Sequence, residues 1–417
     1  MTEVVSQRRT RIADAALRER AAAVIPGGMY GHMSAGALPP EYPQFYRRSE
    51  GSHVWDVDGN EYVDLMCSFG PVVLGHKHPK VEQAVAAQRA EGDTQAGPAA
   101  CMVEAAELLV DRVAHADWAM FAKNGTDATT VCLMVARAAT GRGTVLAASG
   151  AYHGSAPWCT PGVEGVTPHD RANLAYYQFN DIASVEQAAR DADGDVAAVI
   201  VSPFKHDAGF DQELVDPGFA RQLRALCDRI GAVLIMDEVR AGLRLNDGGS
   251  WEPIGVAPDL SAWSKAIGNG YPLAAVLGSS SLSEAASRIF VTGSFWFQAV
   301  PMAAAIATIT AIRDEGAVPA MESIGTKLRD GIERQALAAG VTVLQTGPAQ
   351  MPNLRFADDR RFAKARVFCG SVVDHGVIVH PRHNWFVSAA HTDHDVERVL
   401  EATWEGFQAV RRQFGAS

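Results

Sequence analysis

A lysine, an aspartate and a glycine-containing turn are the residues of this sequence whose types and settings could do chemistry. Lys265 lies among small and apolar residues in Trp263-Ser-Lys-Ala-Ile-Gly-Asn-Gly-Tyr-Pro272, so its amine can be partly desolvated, neutral and nucleophilic. Asp237 ends the apolar run Val233-Leu-Ile-Met-Asp237, and ligands of open parallel sheets bind outside the carboxyl ends of the strands. Such an aspartate could hold Mg²⁺ in a nucleotide-hydrolysing enzyme or pair with the protonated nitrogen of a pyridine ring.

The turn Lys123-Asn-Gly-Thr-Asp-Ala128 precedes the predicted helix Ala128–Ala139 and could bind an anion. The backbone N–H groups of Gly125 and Thr126, with the Thr126 hydroxyl, could hold one phosphate at the N-terminus of that helix. Neither of the nucleotide-phosphate motifs GxxxxGK(S/T) and GxGxxG occurs in the sequence, which disfavours nucleotide hydrolysis. An amine for an aldehyde, a carboxylate for a pyridine nitrogen and a helix N-terminus for a phosphate together predict a pyridoxal 5′-phosphate (PLP) site.

The elements that must position these groups follow an alternating pattern in the middle of the chain. Val196–Val201 and Ala232–Met236 are short, apolar and rich in branched residues, which is typical of strands buried on both faces. Between them, Asp216–Ile230 has apolar residues at helical spacing. Strand, helix and strand in this order predict an α/β fold with a mostly parallel sheet and helices on both faces.

The last part of the chain predicts a smaller α+β domain. Helices are expected over Met302–Ile312 and Asp393–Phe414, with strands at Val341–Leu344, Asn353–Phe356 and Val377–Val379 between them. The predicted organisation is an N-terminal segment at 1–55 that packs with the small domain, a large domain at 56–300 and the small domain at 301–417.

Composition excludes several classes of protein. The 417 residues carry a net charge of −11 with 47% hydrophobic content, and no basic run is longer than a pair such as Arg47–Arg48, so we expect no nucleic-acid partner. The six cysteines are widely spaced, which predicts reduced thiols, a cytoplasmic location and no metal site. The uncharged stretch Ile289–Ile312 is interrupted by residues such as Gly293 and Pro301, so it is expected to form a buried or interfacial loop and helix rather than a membrane span.

An ordered set of motifs across most of the chain resembles the class III, fold-type-I PLP aminotransferases, and within them the glutamate-1-semialdehyde aminomutase branch. The motifs are Ile25-Pro-Gly-Gly28, Trp55-Asp-Val-Asp-Gly-Asn-Glu-Tyr-Val-Asp64, Gly70-Pro-Val-Val-Leu-Gly-His76, Asn124-Gly-Thr126, Tyr152-His-Gly154, Asp237-Glu-Val-Arg240, Lys265-Ala-Ile-Gly-Asn-Gly-Tyr-Pro272 and Gly376-Val…Ala390-His391. Each motif is weak by itself, but the ordered set is specific.

The resemblance implies a role for each matched residue. Lys265 is the lysine that forms a Schiff base with the cofactor and moves protons, and Asp237 keeps the ring nitrogen protonated. Val239 and Tyr152 are expected to sandwich the ring. The cofactor-binding residues implied by the matched motifs also include Asn124, Gly125, Thr126 and His153. Phe69 occupies a position at which the family lines the substrate side with an aromatic residue.

This sequence departs from the family pattern at four places, one of which is Thr126-Asp127 in place of Thr-Glu after the phosphate turn. The segment that supplies a neighbouring subunit's threonine to the phosphate is Thr292-Gly-Ser-Phe-Trp-Phe-Gln-Ala-Val-Pro301 here, so Ser294 and Thr292 are the candidate replacements, of which Ser294 is preferred. A strand that usually ends in Glu-Pro ends in Ser202-Pro203. The aminomutase branch has an arginine for the substrate carboxylate shortly after Pro-Gly-Gly, whereas Met29-Tyr-Gly-His32 follows here. The remaining substrate candidates are therefore His32, Arg382 and Trp385.

The sequence predicts a PLP-dependent aminotransferase that moves an amino group from an amino acid or amine to a keto acid or aldehyde through a Lys265 Schiff base. A glutamate-1-semialdehyde-type 2,1-aminomutase is the main alternative, followed by a PLP racemase or decarboxylase and by a non-catalytic PLP-binding relative. The resemblance also implies a homodimer in which the 290–300 loop reaches the partner's site. The expected ligands are a small-molecule amino donor and a carbonyl acceptor.

Overall fold

The computed structural model describes residues 9–415, whose strands and helices divide between two units. The strands are β1 (Tyr46–Glu50), β2 (His53–Asp56), β3 (Glu61–Asp64), β4 (Trp118–Ala122), β5 (Thr144–Ala148), β6 (Leu174–Tyr177), β7 (Val196–Val201), β8 (Phe204–Lys205), β9 (Glu213–Leu214), β10 (Val233–Asp237), β11 (Leu260–Trp263), β12 (Ala274–Gly278), β13 (Val343–Thr346), β14 (Asn353–Phe356) and β15 (Val377–Ile378). The helices are α1 (Ile12–Val24), α2 (Pro79–Glu91), α3 (Cys101–Arg112), α4 (Gly125–Thr140), α5 (Ile182–Asp191), α6 (Pro217–Ile230), α7 (Ser283–Arg288), α8 (Ala299–Asp314), α9 (Ala317–Ala339), α10 (Ala363–Asp374) and α11 (Asp393–Phe414).

The first unit, called the sheet unit, comprises Pro79–Asp207 and Gln212–Val318. Its main sheet has the strand order β4-β12-β11-β10-β7-β5-β6. Strands β11, β10, β7, β5 and β6 run parallel to one another, and β12 is antiparallel to both of its neighbours, β11 and β4. The prediction of a mostly parallel α/β sheet is confirmed.

Helices cover the two faces of this sheet. Buried residues of α4 and α7 pack in one apolar cluster against strands that include β7, β10 and β12. Buried residues of α5 and α6 pack in a second cluster with the alternate residues of β7 and β10. Because successive side chains of a strand point to opposite faces, β7 and β10 are buried along their whole length, as their uninterrupted apolar sequences predict.

Helix α6 shows how the sequence defines an element that holds the strands in place. The Asp216 side chain accepts a hydrogen bond from the Phe219 N–H, and Pro217 occupies the first turn, where it loses no helical hydrogen bond. Gly231 ends the helix in the left-handed conformation, with φ of 64°. The helix therefore begins one residue later than the predicted Asp216, which is its cap.

The second unit, called the terminal unit, runs to His78, adds Ala208–Asp211 and resumes at Pro319. Strands β1, β2, β3 and β15 form one sheet, with β15 parallel to β3, and β13 pairs with β14 in a hairpin. Strand β14 has the predicted bounds and β15 is one residue shorter than predicted, whereas β13 lies two residues later than Val341–Leu344. Phe368 lies 4.9 Å from Phe407 and 5.3 Å from Phe356 between ring centroids, which joins α10, α11 and β14.

The unit boundaries fall at 78/79 and 318/319, whereas the boundaries predicted from the sequence are 55/56 and 300/301. The difference has a packing cause at each end. Strand β3 hydrogen-bonds to β15, so the chain after residue 55 remains in the terminal unit. Helix α8 contacts α2, α3 and the turn that contains Lys265, so it stays in the sheet unit. Residues 1–8 and 416–417 of the predicted segments lie outside the described residues.

The uncharged stretch Ile289–Ile312 contains a loop followed by most of helix α8. Ten residues of α8 are buried, because the helix packs on α2 and α3. Among the described residues, no helix is long and apolar enough to cross a membrane.

Candidate active site

A cavity of about 260 Å³ in the sheet unit brings the predicted chemistry together. Every residue predicted to bind the cofactor lines it except Ser294, which is exposed in the 290–298 segment. The lining residues are Asn124, Gly125, Thr126, Tyr152, His153, Gly154, Ser155, His206, Asp237, Val239, Arg240 and Lys265. The cavity thus lies where β7 and β10 end, as expected for a parallel sheet.

Asp237 is the buried carboxylate of this cavity, with only 4% of the residue exposed. Its Oδ2 lies 2.7 Å from Nδ1 of His153, and its Oδ1 accepts a hydrogen bond from the Val239 N–H at 3.1 Å. The His153 ring stacks on Trp158, with centroids 6.4 Å apart. A buried carboxylate is costly unless hydrogen bonds or cations compensate it, so Asp237 is suited to accept a further N–H from a bound ring.

Lys265 begins a short 3₁₀ turn directly after β11 and has a left-handed φ of 50°. Just before it, the Ser264 hydroxyl donates to the carbonyl of Leu273 at 2.8 Å and holds the turn in place. Burial, and then the nearby Arg240 cation, lower the pKa of Lys265 to about 7, and Asp237 opposes the shift. A substantial fraction of the Lys265 amine is therefore neutral at neutral pH, as nucleophilic attack on an aldehyde requires.

The first turn of α4 has the features of an anion site. The helix begins at Gly125, not at the predicted Ala128, because Asn124 caps it: the Asp127 N–H donates to Asn124 Oδ1, and the Asn124 N–H donates to Asp127 Oδ2. The N–H groups of Gly125 and Thr126 are thus in the first turn of a helix, where they have no partner within the helix. The positive end of the helix dipole favours an anion there.

Two glycines allow the backbone to approach closely around this turn. A Cβ on Gly125 would lie 2.6 Å from Val239 Cγ1, and a Cβ on Gly154 would lie 2.5 Å from Thr126 Oγ1. Gly154 also has a φ of 135°, which other residues rarely adopt. Thr126 Oγ1 accepts a hydrogen bond from the Ser155 N–H at 3.1 Å, so the two segments are held together. The cradle, the buried acid and the desolvated amine fit a flat ring that carries a phosphate, a basic nitrogen and an aldehyde.

Four lining residues have no predicted role from the sequence, namely Gly154, Ser155, His206 and Arg240, and two of them carry ionisable side chains. His206 is only 5% exposed and follows β7 and β8, and Arg240 follows Val239. Burial and the cations Arg240 and Lys265 lower the pKa of His206 well below its ordinary value. The strand pairing could have identified His206. Strands β7 and β10 are parallel and pair through Val201 and Met236, so the residues that follow β7 lie near Asp237 at the end of β10.

The terminal unit brings together two of the four predicted substrate residues. The rings of His32 and Phe69 stack with centroids 5.1 Å apart, and His383 lies 5.2 Å from Phe69. Phe69 ends the turn Cys67–Phe69, in which all three residues have left-handed φ angles, and the carboxylate of Asp64 accepts the N–H of Cys67 at 3.0 Å. Such strain persists only when the surroundings fix it, and it is concentrated at functional sites.

Phe69 also lines a cavity of about 620 Å³ within the terminal unit. Apolar side chains contributing to it include Met29, Met33, Val54, Met66, Phe69 and Ile378. Methionine is flexible and adapts to irregular apolar shapes, so this cavity is suited to an apolar group.

The other two predicted substrate residues take part in packing instead. The guanidinium of the exposed Arg382 lies over the ring of Phe362, 4.8 Å from its centroid. Trp385 is 3% exposed and stacks on Phe368 with centroids 6.4 Å apart. Neither residue lines the cavity that contains Phe69. Among residues 9–415, no group of three or more His, Cys, Asp or Glu side chains is placed to hold a metal ion.

The family model for class-III aminotransferases matches residues 37–402. The chain belongs to the class-III aminotransferases. The family resemblance drawn from the motifs is confirmed, and with it the expectation of an aminotransferase. The match covers residues of both units and includes the segments that carry Asn124, Asp237 and Lys265.

Relatives with known names include both activities considered for the sequence. The chain is 51% identical over 400 residues to the aminopentol aminotransferase of Sphingopyxis macrogoltabida, which covers 96% of this chain and 95% of that protein. It is 33% identical over 413 residues to a glutamate-1-semialdehyde 2,1-aminomutase of Desulfatibacillum aliphaticivorans, covering 92% and 96%. Among solved structures, the PLP internal aldimine form of FumI from Sphingopyxis sp. MTA144 matches with a TM-score of 0.95 and 50% identity over 97% of each chain.

The lowered pKa of Lys265 predicts an unusual pH dependence of its reactivity. In the cofactor-free protein, acetylation of Lys265 should rise with pH and reach half its maximal rate near pH 7, because the neutral amine is the reactive form. Lys80 is the internal control, since it is exposed and its hydrogen bond to Glu315 raises the pKa of its amine. Mass spectrometry of both peptides after brief labelling at a series of pH values measures the two profiles. Coincident profiles would contradict the desolvation of Lys265.

Proposed function

We propose that this protein is a PLP-dependent aminotransferase that moves an amino group from an amine or amino acid to a keto acid or aldehyde, with Lys265 as the covalent and proton-transferring residue. The observation that carries the proposal is the convergence of Lys265, Asp237 and the first turn of α4 on one cavity. Each group suits a different part of PLP, and family membership supports the same activity. When bound, PLP supplies a reactive carbonyl and a ring that can take up electrons.

Lys265 performs two tasks in this scheme. Its neutral amine attaches to the cofactor carbonyl, which a fully protonated lysine could not do. When it is not bonded to the cofactor, the Lys265 Nζ would lie in the cavity as the group that takes up and returns a proton at the donor carbon. A pKa of Lys265 near the working pH allows its amine both to take up and to release a proton.

Asp237 and the residues around it hold the cofactor in its reactive state. The Asp237 carboxylate binds the ring nitrogen and favours its protonated form, while His153 fixes the carboxylate from the other side at 2.7 Å. Val239 and Tyr152 line the same cavity and are the proposed contacts of the two ring faces. Gly125, Thr126 and Ser155 surround the proposed phosphate position.

The aminomutase alternative is less well supported. The relative at 51% identity is an aminotransferase, whereas the aminomutase cited above is 33% identical. Met29-Tyr-Gly-His32 also contains no arginine for a substrate carboxylate. No observation in the described residues favours a racemase or a decarboxylase.

The proposed amino donor carries an apolar body. The support is the cavity of the terminal unit, where three methionines and Phe69 offer a flexible apolar surface. The relative from Sphingopyxis macrogoltabida is an aminopentol aminotransferase, and "aminopentol" denotes an amine with several hydroxyl groups. Gln44, Ser49 and Ser68 in the same lining could hydrogen-bond to hydroxyl groups on such a body.

We also propose a homodimer in the cytoplasm, in which the 290–300 loop reaches the partner's site. Phe290, Phe295 and Phe297 of this loop are 87%, 59% and 40% exposed, an apolar surface that a partner could cover. Ser294 lies between them and is the proposed contribution to the partner's phosphate site. The six cysteines are free thiols, which suits a reducing compartment.

Replacement of Lys265 tests the catalytic proposal. Lys265→Ala should abolish the borohydride-fixed cofactor adduct and lower turnover by at least about 10²-fold, because the nucleophile and proton carrier are lost together. Asp237→Asn should retain the adduct but lose most turnover. Lys205→Ala, a partly buried lysine outside the cavity, is the control and should behave as wild type. Normal turnover by Lys265→Ala would overturn the mechanism.

A donor series tests the proposed substrate class. With pyruvate as acceptor, kcat/KM for straight-chain amines should rise by about fourfold per added methylene while the cavity fills, since each buried methylene contributes about 0.8 kcal/mol. Phe69→Ala should flatten this dependence. Phe414→Ala, an exposed aromatic on α11, should leave it unchanged. Equal kcat/KM values along the series in the wild-type enzyme would refute an apolar donor site.

Charge in the 290–300 loop tests the proposed dimer. Phe295→Asp should shift the sedimentation coefficient toward that of a monomer, because a desolvated carboxylate at an apolar interface is unfavourable. Leu337→Asp, which places the same charge at another highly exposed position, should sediment as wild type. A wild-type protein that sediments as a monomer at all concentrations would disprove the dimer.

A further inference from the structure

His206 is a buried imidazole that the proposed mechanism does not use. It lines the cavity with Lys265 and Arg240, and its ring packs edge-on against Phe204 with centroids 5.1 Å apart. Its Nδ1 is buried and has no hydrogen-bond partner among the described residues. The Nδ1 atom is closed off from the cavity, so the ring nitrogen that a bound group can reach is Nε2, which also has no hydrogen-bond partner within residues 9–415. Polar atoms of buried side chains nearly always have a partner, so this unpaired Nε2 of a cavity residue indicates a bound group.

Only one polar group of the cofactor has no partner in the proposed function, and His206 could bind it. In the proposed function, Lys265 takes the carbonyl, Asp237 the ring nitrogen and the first turn of α4 the phosphate. The remaining polar group of PLP is the ring oxygen next to the carbonyl carbon, which must lie close to Lys265. Arg240, His206 and Tyr152 are the remaining polar side chains of the lining that stand apart from the phosphate and ring-nitrogen sites. His206 and Arg240 both interact electrostatically with Lys265.

We propose that His206 is a positioning residue that donates a hydrogen bond to the ring oxygen of the bound cofactor and thereby lowers the proton affinity of the nitrogen that Lys265 contributes. The proposal rests on the proposed function, because it assumes PLP in this cavity. It assigns to this chain a residue that follows Ser202-Pro203, where the usual carboxylate of the family is missing.

The positive charges around His206 favour a neutral imidazole that donates a hydrogen bond over one that takes up a proton. His206 faces Arg240, Lys265 and His153, and the carbonyl of His206 accepts a hydrogen bond from Arg240 Nη1 at 3.4 Å. Burial, with the cations Arg240 and Lys265, lowers the pKa of His206, so the ring stays neutral and offers one N–H. A neutral ring suits an anionic oxygen without adding another cation to a site that already holds Arg240, Arg244 and Lys265, opposed by Asp237.

The consequence for Lys265 has a definite sign. Without a donor, the anionic ring oxygen depends on the proton of the Lys265 nitrogen for its hydrogen bond, and that proton is held more tightly. A donor at the oxygen replaces this interaction and favours loss of the proton. Removing the His206 donor should therefore raise the pH at which the visible absorption band of the holoenzyme changes.

The experiment compares the holoenzyme with His206→Phe, which keeps an aromatic ring beside Phe204 but removes the nitrogens. The midpoint of the spectral titration should rise by about one pH unit, and cofactor affinity in equilibrium dialysis should fall about tenfold, as expected for one hydrogen bond to a charged group. His206→Asn supplies an amide N–H and should restore part of both values. Circular dichroism and thermal unfolding of each variant establish that it is folded.

A matched control is His115→Phe. His115 is another mostly buried imidazole of the sheet unit, whose pKa burial lowers to about 4, but its Nε2 lies 2.8 Å from the Ser261 hydroxyl and it does not line the cavity. This variant should unfold at a lower temperature and keep the wild-type spectral midpoint.

Each outcome decides one question. A wild-type midpoint and affinity in folded His206→Phe would overturn the proposed contact, while turnover in the wild type would leave the aminotransferase function intact. An equal shift in His115→Phe would also overturn it, because the effect would then come from general loss of packing. A wild-type protein with no visible band and no cofactor binding would instead refute the proposed function.

Discussion

The site depends on the burial of the Lys265 amine in the same cavity as the Asp237 carboxylate. The pKa of Lys265 is low because its surroundings do not solvate its charge, and the turn that carries it is held by the hydrogen bond from the Ser264 hydroxyl to the Leu273 carbonyl. Asp237 pairs in register with Ala262 of β11, three residues before Lys265. The adjacency of two parallel strands therefore brings the acid and the amine together without any direct link between their side chains.

The sequence predicted the parts of the fold that local patterns control. Apolar, branched runs predicted β7 and β10, because a strand buried on both faces must be apolar throughout. The helix α11 has its predicted bounds, since Thr392 caps it and its apolar residues recur at helical spacing. The motif set, taken as a family resemblance, added Tyr152 and Val239, whose positions in the cavity no local pattern indicates.

Features set by contacts distant in sequence were not predicted. The antiparallel direction of β12 depends on its pairing with both β11 and β4, and the start of α4 depends on the side chain of Asn124. Arg382 and Trp385 had the right types for a substrate site, but aromatic neighbours hold them in packing positions. His206 was missed for the converse reason, because a histidine five residues after the end of β7 has no distinctive sequence context.

The close contacts at Gly125 and Gly154 restrict how this enzyme can diversify. The donors of the anion cradle belong largely to the main chain, so substitutions of side chains cannot remove them, and the surrounding atoms leave no room for additional ones. The main-chain donors around Gly125 and Gly154 are thus expected to be kept or lost together. If the proposed sites are correct, new substrate preferences would arise from surfaces with adaptable side chains, such as the methionine-lined cavity of the terminal unit, while the proposed phosphate contacts stay constant.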